Sequence, residues 1–364
     1  FSLMTSVDKQ SINTLTGLRK ASFSFNCALF FVFVSILGGC DHGPEIIKIT
    51  GSKMGTSYHV TIVADQPAPP DLAEQIEQTL DRVDQSMSTY KADSEISQFN
   101  QQDVGEYLAV SNDFDQVLQI AREVWQKSGG AFDPTVGPLV DIWGFGPTFT
   151  GDIVPSDSAI QKILAGIGFD AVNRTENNQQ VFLSKSRPLR LDLSAIAKGY
   201  AVDLVADLLE MNALPDYLVE VGGETRVSGL NPEGQPWRLA IESPSPQQLV
   251  AQVLNVQVGA VATSGDYRNY FERDGARYSH TIDPRSGRPT THSLASVTVV
   301  ADTCAEADAW ATALMVMNSD QAVDLANELE MPVYIIARQN EGYNVSYSET
   351  FTPLLATNER IEAQ

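Results

Sequence analysis

Basic residues are scarce in this chain: 24 Lys and Arg stand against 46 Asp and Glu, a net charge of −22 over 364 residues. A surface that acidic repels phosphate backbones, which argues against nucleic acid as a partner. A phosphate-bearing substrate would need a cation or a few well-placed basic residues. Histidine is rarer still. His42, His59, His280 and His292 show no zinc-like spacing with the cysteines. There is no Walker A loop and no GxGxxG after a strand, so neither a P-loop nor a Rossmann nucleotide site is supported. Repeats, heptads and a Pro/Ser-rich linker within 46–357 are also missing, which favours one continuous body. What remains is ordinary globular composition, 43% hydrophobic and 19% charged, which excludes general disorder.

Long apolar runs are missing too, except for one. Arg19 and Lys20 precede an apolar stretch from Ala21 to Leu37 that ends in Leu37-Gly38-Gly39-Cys40. A basic start, a short apolar core and small residues before a cut describe a secretory signal over 1–39. The ending resembles a bacterial lipobox, in which Cys40 is lipidated and becomes the first residue. The alternative is an uncleaved anchor, but about 17 residues is the lower limit for a span. Asp41 after the lipid cysteine resembles an inner-membrane retention signal, so the expectation is an inner-membrane lipoprotein facing the periplasm. Residues 1–39 hold three basic and one acidic residue, so the remainder carries 21 basic against 45 acidic, or −24. Cys27 leaves with the signal and Cys40 carries lipid. Cys304 is then alone, an internal disulfide is impossible, and a buried small hydrophobe is the expected role.

After a tether at 40–45, strands are expected at Ile46–Ile49 and Tyr58–Val63, where Tyr58, Val60 and Ile62 alternate with polar residues. Helical spacing of Leu72, Ile76, Leu80, Val83 and Met87 predicts a helix capped by Asp71. Others follow at Phe114–Trp125, stopped by Gly129-Gly130, and from Ser156 to Ala165. The second half predicts strands at Leu189–Leu193, Tyr217–Val221, Thr225–Ser228, Trp237–Glu242, Val253–Val258, Ala295–Val300 and Val333–Ala337. Helices are expected at Ala197–Met211, Ala305–Met317 and Asp320–Leu329. Strands in runs with helices grouped between them point to an α+β fold with largely antiparallel sheets. The domain is expected over 46–357, with a short tail at 358–364.

Four loops are dense in small and polar residues: Gly129–Leu139, Asp192–Tyr200, Val221-Gly222-Gly223-Glu224 and Thr263–Tyr267. Such loops present backbone N–H groups to anions, although each alone reads as an ordinary turn. The segment Tyr278–Pro289 is sharper. His280 and Asp283 in it can serve proton transfer and Arg285 and Arg288 can hold phosphate oxygens, although taken alone the segment reads better as a surface loop with a structural salt bridge. Asp308 and Thr312 are i and i+4 on a predicted helix and project from one face. A carboxylate and a hydroxyl there can bind Mg²⁺, which takes hard oxygen ligands, although this helix alone reads better as an exposed Asp and a Thr buried against its own i−4 carbonyl.

These segments, in this order, resemble the ApbE family of flavin transferases. The residues that carry the likeness are Met54-Gly55-Thr56, Ser88-Thr89-Tyr90 with Asp93–Ser97, Gly130–Gly137, Asp192–Gly199, Val221-Gly222-Gly223, Ser264–Tyr267, Ser279–Pro289 and Ala307–Ala313. The resemblance implies a two-lobed catalytic body with FAD bound as substrate in a cleft and Mg²⁺ at its pyrophosphate. Met54, Tyr90, Ala131, Phe132, Asp133, Asp192, Lys198 and Ile282 would contact FAD. The Ala195 carbonyl, Asp308 and Thr312 would hold Mg²⁺. Some members carry an aspartate where this chain has Ala311, so one carboxylate is missing. The implied reaction moves FMN from FAD onto a threonine or serine of an acceptor flavoprotein subunit of a membrane redox complex, and AMP leaves. His280 or Asp283 would take the hydroxyl proton. The rival readings are an FAD pyrophosphatase and a flavin-binding protein without chemistry.

Overall fold

The computed structural model describes residues 43–146, 154–244, 249–266, 270–273, 276–340 and 342–355. The expected leader, Cys40, Tyr267 and the tail lie outside them. All described residues belong to one unit, His42–Gln364. The chain opens with β1 (Glu45–Lys53), β2 (Thr56–Ala64), α1 (Leu72–Met87) and α2 (Glu95–Gln101). Next come β3 (Leu108–Val110), α3 (Asn112–Lys127), α4 (Gly137–Ile142), α5 (Asp157–Leu164), β4 (Val172–Asn177) and β5 (Gln180–Lys185). Then follow α6 (Ala197–Met211), β6 (Tyr217–Val221), β7 (Glu224–Ser228), β8 (Trp237–Glu242), β9 (Val250–Val256) and β10 (Gly259–Gly265). Short hairpin strands β11 (Tyr270–Arg273), β12 (Ala276–Ser279), β13 (Ile282–Asp283) and β14 (Arg288–Pro289) precede β15 (Leu294–Ala301). The chain closes with α7 (Cys304–Met315), α8 (Ser319–Glu328), β16 (Val333–Arg338) and β17 (Tyr343–Tyr347).

Eight strands form the main sheet in the order β1-β2-β6-β7-β10-β15-β16-β17. Every neighbouring pair in it is antiparallel. The period-two alternation feeds both faces. Val60, Val219, Ala260, Val297 and Ile335 face a core shared with α1, α3, α6 and α7. Val63, Val227, Val261, Val300 and Tyr334 face a second core covered by the β8–β9 hairpin and Phe351. Helices α6 and α7 are apolar on most sides because they run through the interior. A third, smaller core of Leu139, Trp143, Ile160, Ile167, Phe271 and Ile282 seats the β13–β14 hairpin on α4 and α5.

Leu189–Leu193 does not form the expected strand. Leu189, Leu191 and Leu193 do alternate inward and are buried. A side chain, however, stands where a ladder partner was expected. Asn100 Oδ1 accepts from the Leu191 N–H (2.6 Å) and Asn100 Nδ2 donates to its carbonyl (2.9 Å). The Lys185 ammonium donates to the Leu189 carbonyl (3.1 Å) and the Asp192 N–H donates to Pro134 (2.7 Å). Asp71 precedes α1 as expected, but its side chain makes no capping bond. The expected strand Val253–Val258 ends at Val256, and Val258 turns outward before β10 begins.

Candidate functional site

The two buried helices meet where the chemistry concentrates. Gly199, in the first turn of α6, lies so close to the start of α7 that a Cβ would collide with the Cys304 carbonyl. Asp203, one turn further, is buried and accepts from the N–H groups of Cys304 (2.8 Å) and Ala305 (2.9 Å). It also pairs with Arg226 on β7 (3.0 Å). A carboxylate at a helix N-terminus is favoured by the helix dipole, so Asp203 fixes where α7 starts. That in turn fixes Asp308, one turn later.

Asp308 is buried, and its Oδ2 accepts the Gly199 N–H at 3.2 Å. That N–H is one of the four at the start of α6 with no acceptor inside the helix, and Asp308 satisfies it. The Lys198 ammonium lies 3.6 Å from Asp308 Oδ2 and 2.9 Å from Glu224 Oε1. Glu224 opens β7 after the Gly222-Gly223 turn, and its Oε2 is buried without a hydrogen-bond partner. A Cβ on Gly222 would press on both Thr56 and the Lys198 stem, so the β1–β2 turn closes on the same place. Met54 and Gly55 form that two-residue turn with φ of 53° and 74°. A left-handed methionine is strained, and such strain collects at functional sites.

Burial alone would lower the Lys198 pKa, but the negative charges of Asp308 and Glu224 outweigh it and hold the lysine protonated. Burial, reinforced by the charge of Asp308, pushes Glu224 up to about 7 against the pull of Lys198. One ammonium therefore faces two carboxylates in a nearly dry setting. Thr312 lies one turn beyond Asp308 and shares a hydrogen bond with Ser264 of β10 (3.1 Å between oxygens). Among the described residues, no three His, Cys, Asp or Glu side chains converge as a metal set. A cation here must therefore use hydroxyl and carbonyl oxygens as well. Asp308 and Thr312, one turn apart on α7, are hard oxygen donors of the kind Mg²⁺ takes, and the Ala195 carbonyl, just before α6, is another oxygen of that kind.

The sequence profile of the ApbE family matches residues 54–335. The chain is a member of the ApbE family. It is 43% identical to the FAD:protein FMN transferase of Vibrio cholerae over 329 residues, covering 88% of this chain and 96% of that protein. It is 40% identical to the enzyme of that name from Haemophilus influenzae, covering 89% of this chain and 95% of the relative. The structure of the flavin transferase ApbE from Vibrio cholerae superposes with a TM-score of 0.79 at 41% identity, covering 86% of this chain and all of that one.

The other positions drawn from the ApbE resemblance lie in three settings. Asp192 abuts Gly137 at the start of α4, and its Oδ1 accepts the Ser194 N–H (2.9 Å) in the turn leading to α6. Tyr90 is 81% exposed. Ala131 and Phe132 are core residues. Asp133 is buried with its carboxylate taken: Oδ1 accepts from Thr135 N–H and Oγ1, and Oδ2 from the Phe169 N–H. Burial pushes its pKa up despite those bonds. Ile282 packs in the third core. His280 lies edge-on to Phe145, with ring centroids 6.3 Å apart. Asp283 accepts from the Arg285 N–H, Nε and Nη2 at 2.9–3.0 Å. Arg285 lines a cleft of about 520 Å³ with Gly130, Asp133 and Trp125. Arg288 pairs with Asp157 (2.5 Å). Helix α4 packs on the β13–β14 hairpin by Leu139 and touches Asp192 at Gly137, and no side-chain contact joins the hairpin to the Lys198 cluster among those described.

Several motif residues are framework. Ser94 caps α2, and Glu95 accepts from Ser86 and Ser111 to tie α1, α2 and α3 together. Asp266 pairs with Arg338. Cys304 is a buried free thiol whose pKa burial raises. Sequence reasoning gave no role to Asp203 or Glu224. The place of Glu224 follows from the sheet register: on β7, Glu224 and Arg226 occupy the face whose β6 counterparts, Val221 and Val219, are buried and apolar.

Proposed function

We propose that this protein moves the FMN part of FAD onto a threonine or serine hydroxyl of an acceptor flavoprotein and releases AMP. The observation that carries the reading is the Lys198–Asp308–Glu224 cluster at the α6–α7 contact, within a chain that matches named FAD:protein FMN transferases over nearly its whole length. The hydroxyl oxygen attacks the flavin-side phosphorus. The bond from that phosphorus to the bridging oxygen breaks, and AMP departs with the bridging oxygen. Mg²⁺, held by the Ala195 carbonyl, Asp308 and Thr312, would supply positive charge at the pyrophosphate. Lys198 adds a fixed ammonium where charge builds up in the transition state. His280 takes the proton of the attacking hydroxyl, since Asp283 is already engaged by Arg285. Met54, Tyr90, Asp192, Lys198 and the Ala131-Phe132-Asp133 loop bind the flavin and adenosine parts together with Ile282. Asp133 holds the loop in shape rather than offering a free oxygen.

The acceptor belongs to a membrane redox complex, and a lipid on Cys40 keeps the enzyme on the periplasmic side of the inner membrane. The rival hydrolytic reaction would need water in place of the acceptor hydroxyl. Incubation with FAD, Mg²⁺ and an acceptor domain separates the readings. A covalent FMN adduct with AMP is the expected outcome. Free FMN with AMP would mean hydrolysis, and intact FAD would mean storage.

A further inference from the structure

Glu224 is costly where it stands. The residue is 6% exposed, its Oε1 bonds Lys198, and its Oε2 is buried without a partner. A buried acceptor left without a donor loses its hydration and gains nothing in return, and a charged one loses more. One ammonium cannot neutralise Glu224 and Asp308 together when both are ionised. The helix that carries Asp308 offers no second carboxylate at 311, where Ala311 is wholly buried. Glu224 reaches the cluster from β7 instead, fixed by the Gly222-Gly223 turn and by register with Val221.

We propose that Glu224 is a second carboxylate of the cation site, with Oε2 as its waiting oxygen. In this arrangement Lys198 spans the two carboxylates while the site is free of cation. A divalent ion takes over the neutralisation of Glu224 and Asp308, and the ammonium becomes available to an anionic substrate. The inference rests on the cation-dependent transfer proposed above and assigns it a residue. It also accounts for a buried glutamate on the face of β7 where the other charged residue, Arg226, already has Asp203 as its partner.

The test uses Mn²⁺ as the probe on the purified full chain without FAD, following free Mn²⁺ by its paramagnetic resonance. Glu224→Gln keeps an acceptor for Lys198 but removes the charge. It should weaken Mn²⁺ binding at least tenfold, while the melting temperature without cation stays level or rises. Asp308→Ala should weaken binding at least as much. Wild-type Mn²⁺ affinity in a folded Glu224→Gln protein, with Asp308→Ala impaired, would overturn the role of Glu224 and leave the cation site standing. Wild-type affinity in both variants, or no Mn²⁺ binding by the parent chain, would overturn the inference together with the cation site on which it rests.

Discussion

His280 and Asp283 differ in what already holds them. Asp283 is locked by the Arg285 guanidinium and N–H, and taking a proton would break those bonds. His280, which is not without contacts of its own, stands edge-on to Phe145 and carries the ring nitrogens suited to proton transfer near neutral pH. His280→Ala should therefore slow single-turnover transfer by roughly 10²–10⁴-fold, the usual worth of a general base. It should also flatten the rise in rate through the pH range where an imidazole loses its proton, ~6.5. Asp283→Asn should keep that profile. The reverse pattern would hand the role to Asp283. A second histidine governs acid stability. His292 Nδ1 accepts from the Leu294 N–H (3.3 Å), and burial lowers its pKa from 6.5 against the opposing pull of the Val316 backbone and the charge of Asp266. The folded chain thus binds fewer protons there than the unfolded chain. This contribution to stability is full above the unfolded value and is lost as pH falls through the lowered one. The urea midpoint should drop between neutral and mildly acid pH, and less so in His292→Gln. Parallel curves for the two proteins would count against it. At this scale the Asp308/Thr312 pair was legible from helical spacing alone. Glu224 and Asp203 needed the sheet register and the α6–α7 contact, which no local pattern reports.

Elements with a strong period were readable, and those held by side chains were not. The apolar spacing in α1 and α3 and the alternation in β2 and β6 gave bounds close to those observed. Leu189–Leu193 has the alternation of a strand, yet Asn100 and Lys185 satisfy its backbone from outside any ladder. Sequence pattern reports which residues face inward, not what bonds the peptide groups. The α6–α7 contact is the element-level feature on which the site depends. Gly199→Ala should push the helices apart, costing about 1–3 kcal/mol or more as overpacking against a backbone carbonyl. It should also weaken cation binding, because Asp308 takes its bond from Gly199. Unfolding by urea alongside Mn²⁺ titration checks both. A variant as stable as the parent would show that the helices can separate freely.

For the molecule as a whole, the order of eight short motifs was the clearest signal, because it runs through nearly the whole span that the ApbE family profile matches. The strong negative charge of the chain makes the few cations near the site, Lys198 and Arg285, count for more, since the rest of the surface repels a pyrophosphate. Attachment to a membrane belongs to this scale as well. Cys40→Ser should yield a protein that no longer takes up labelled lipid, and labelling equal to the parent would remove Cys40 as the anchor. The measurement that bears most directly on the account is the mass of an acceptor domain after incubation with FAD and limiting Mg²⁺, using the parent chain and Asp308→Ala. The parent should add FMN to the acceptor and release AMP. Asp308→Ala should remain folded, bind FAD with a smaller loss, and leave the acceptor mass unchanged. An Asp308→Ala protein that flavinylates the acceptor at the parent rate would contradict the placement of the chemistry at the α6–α7 contact.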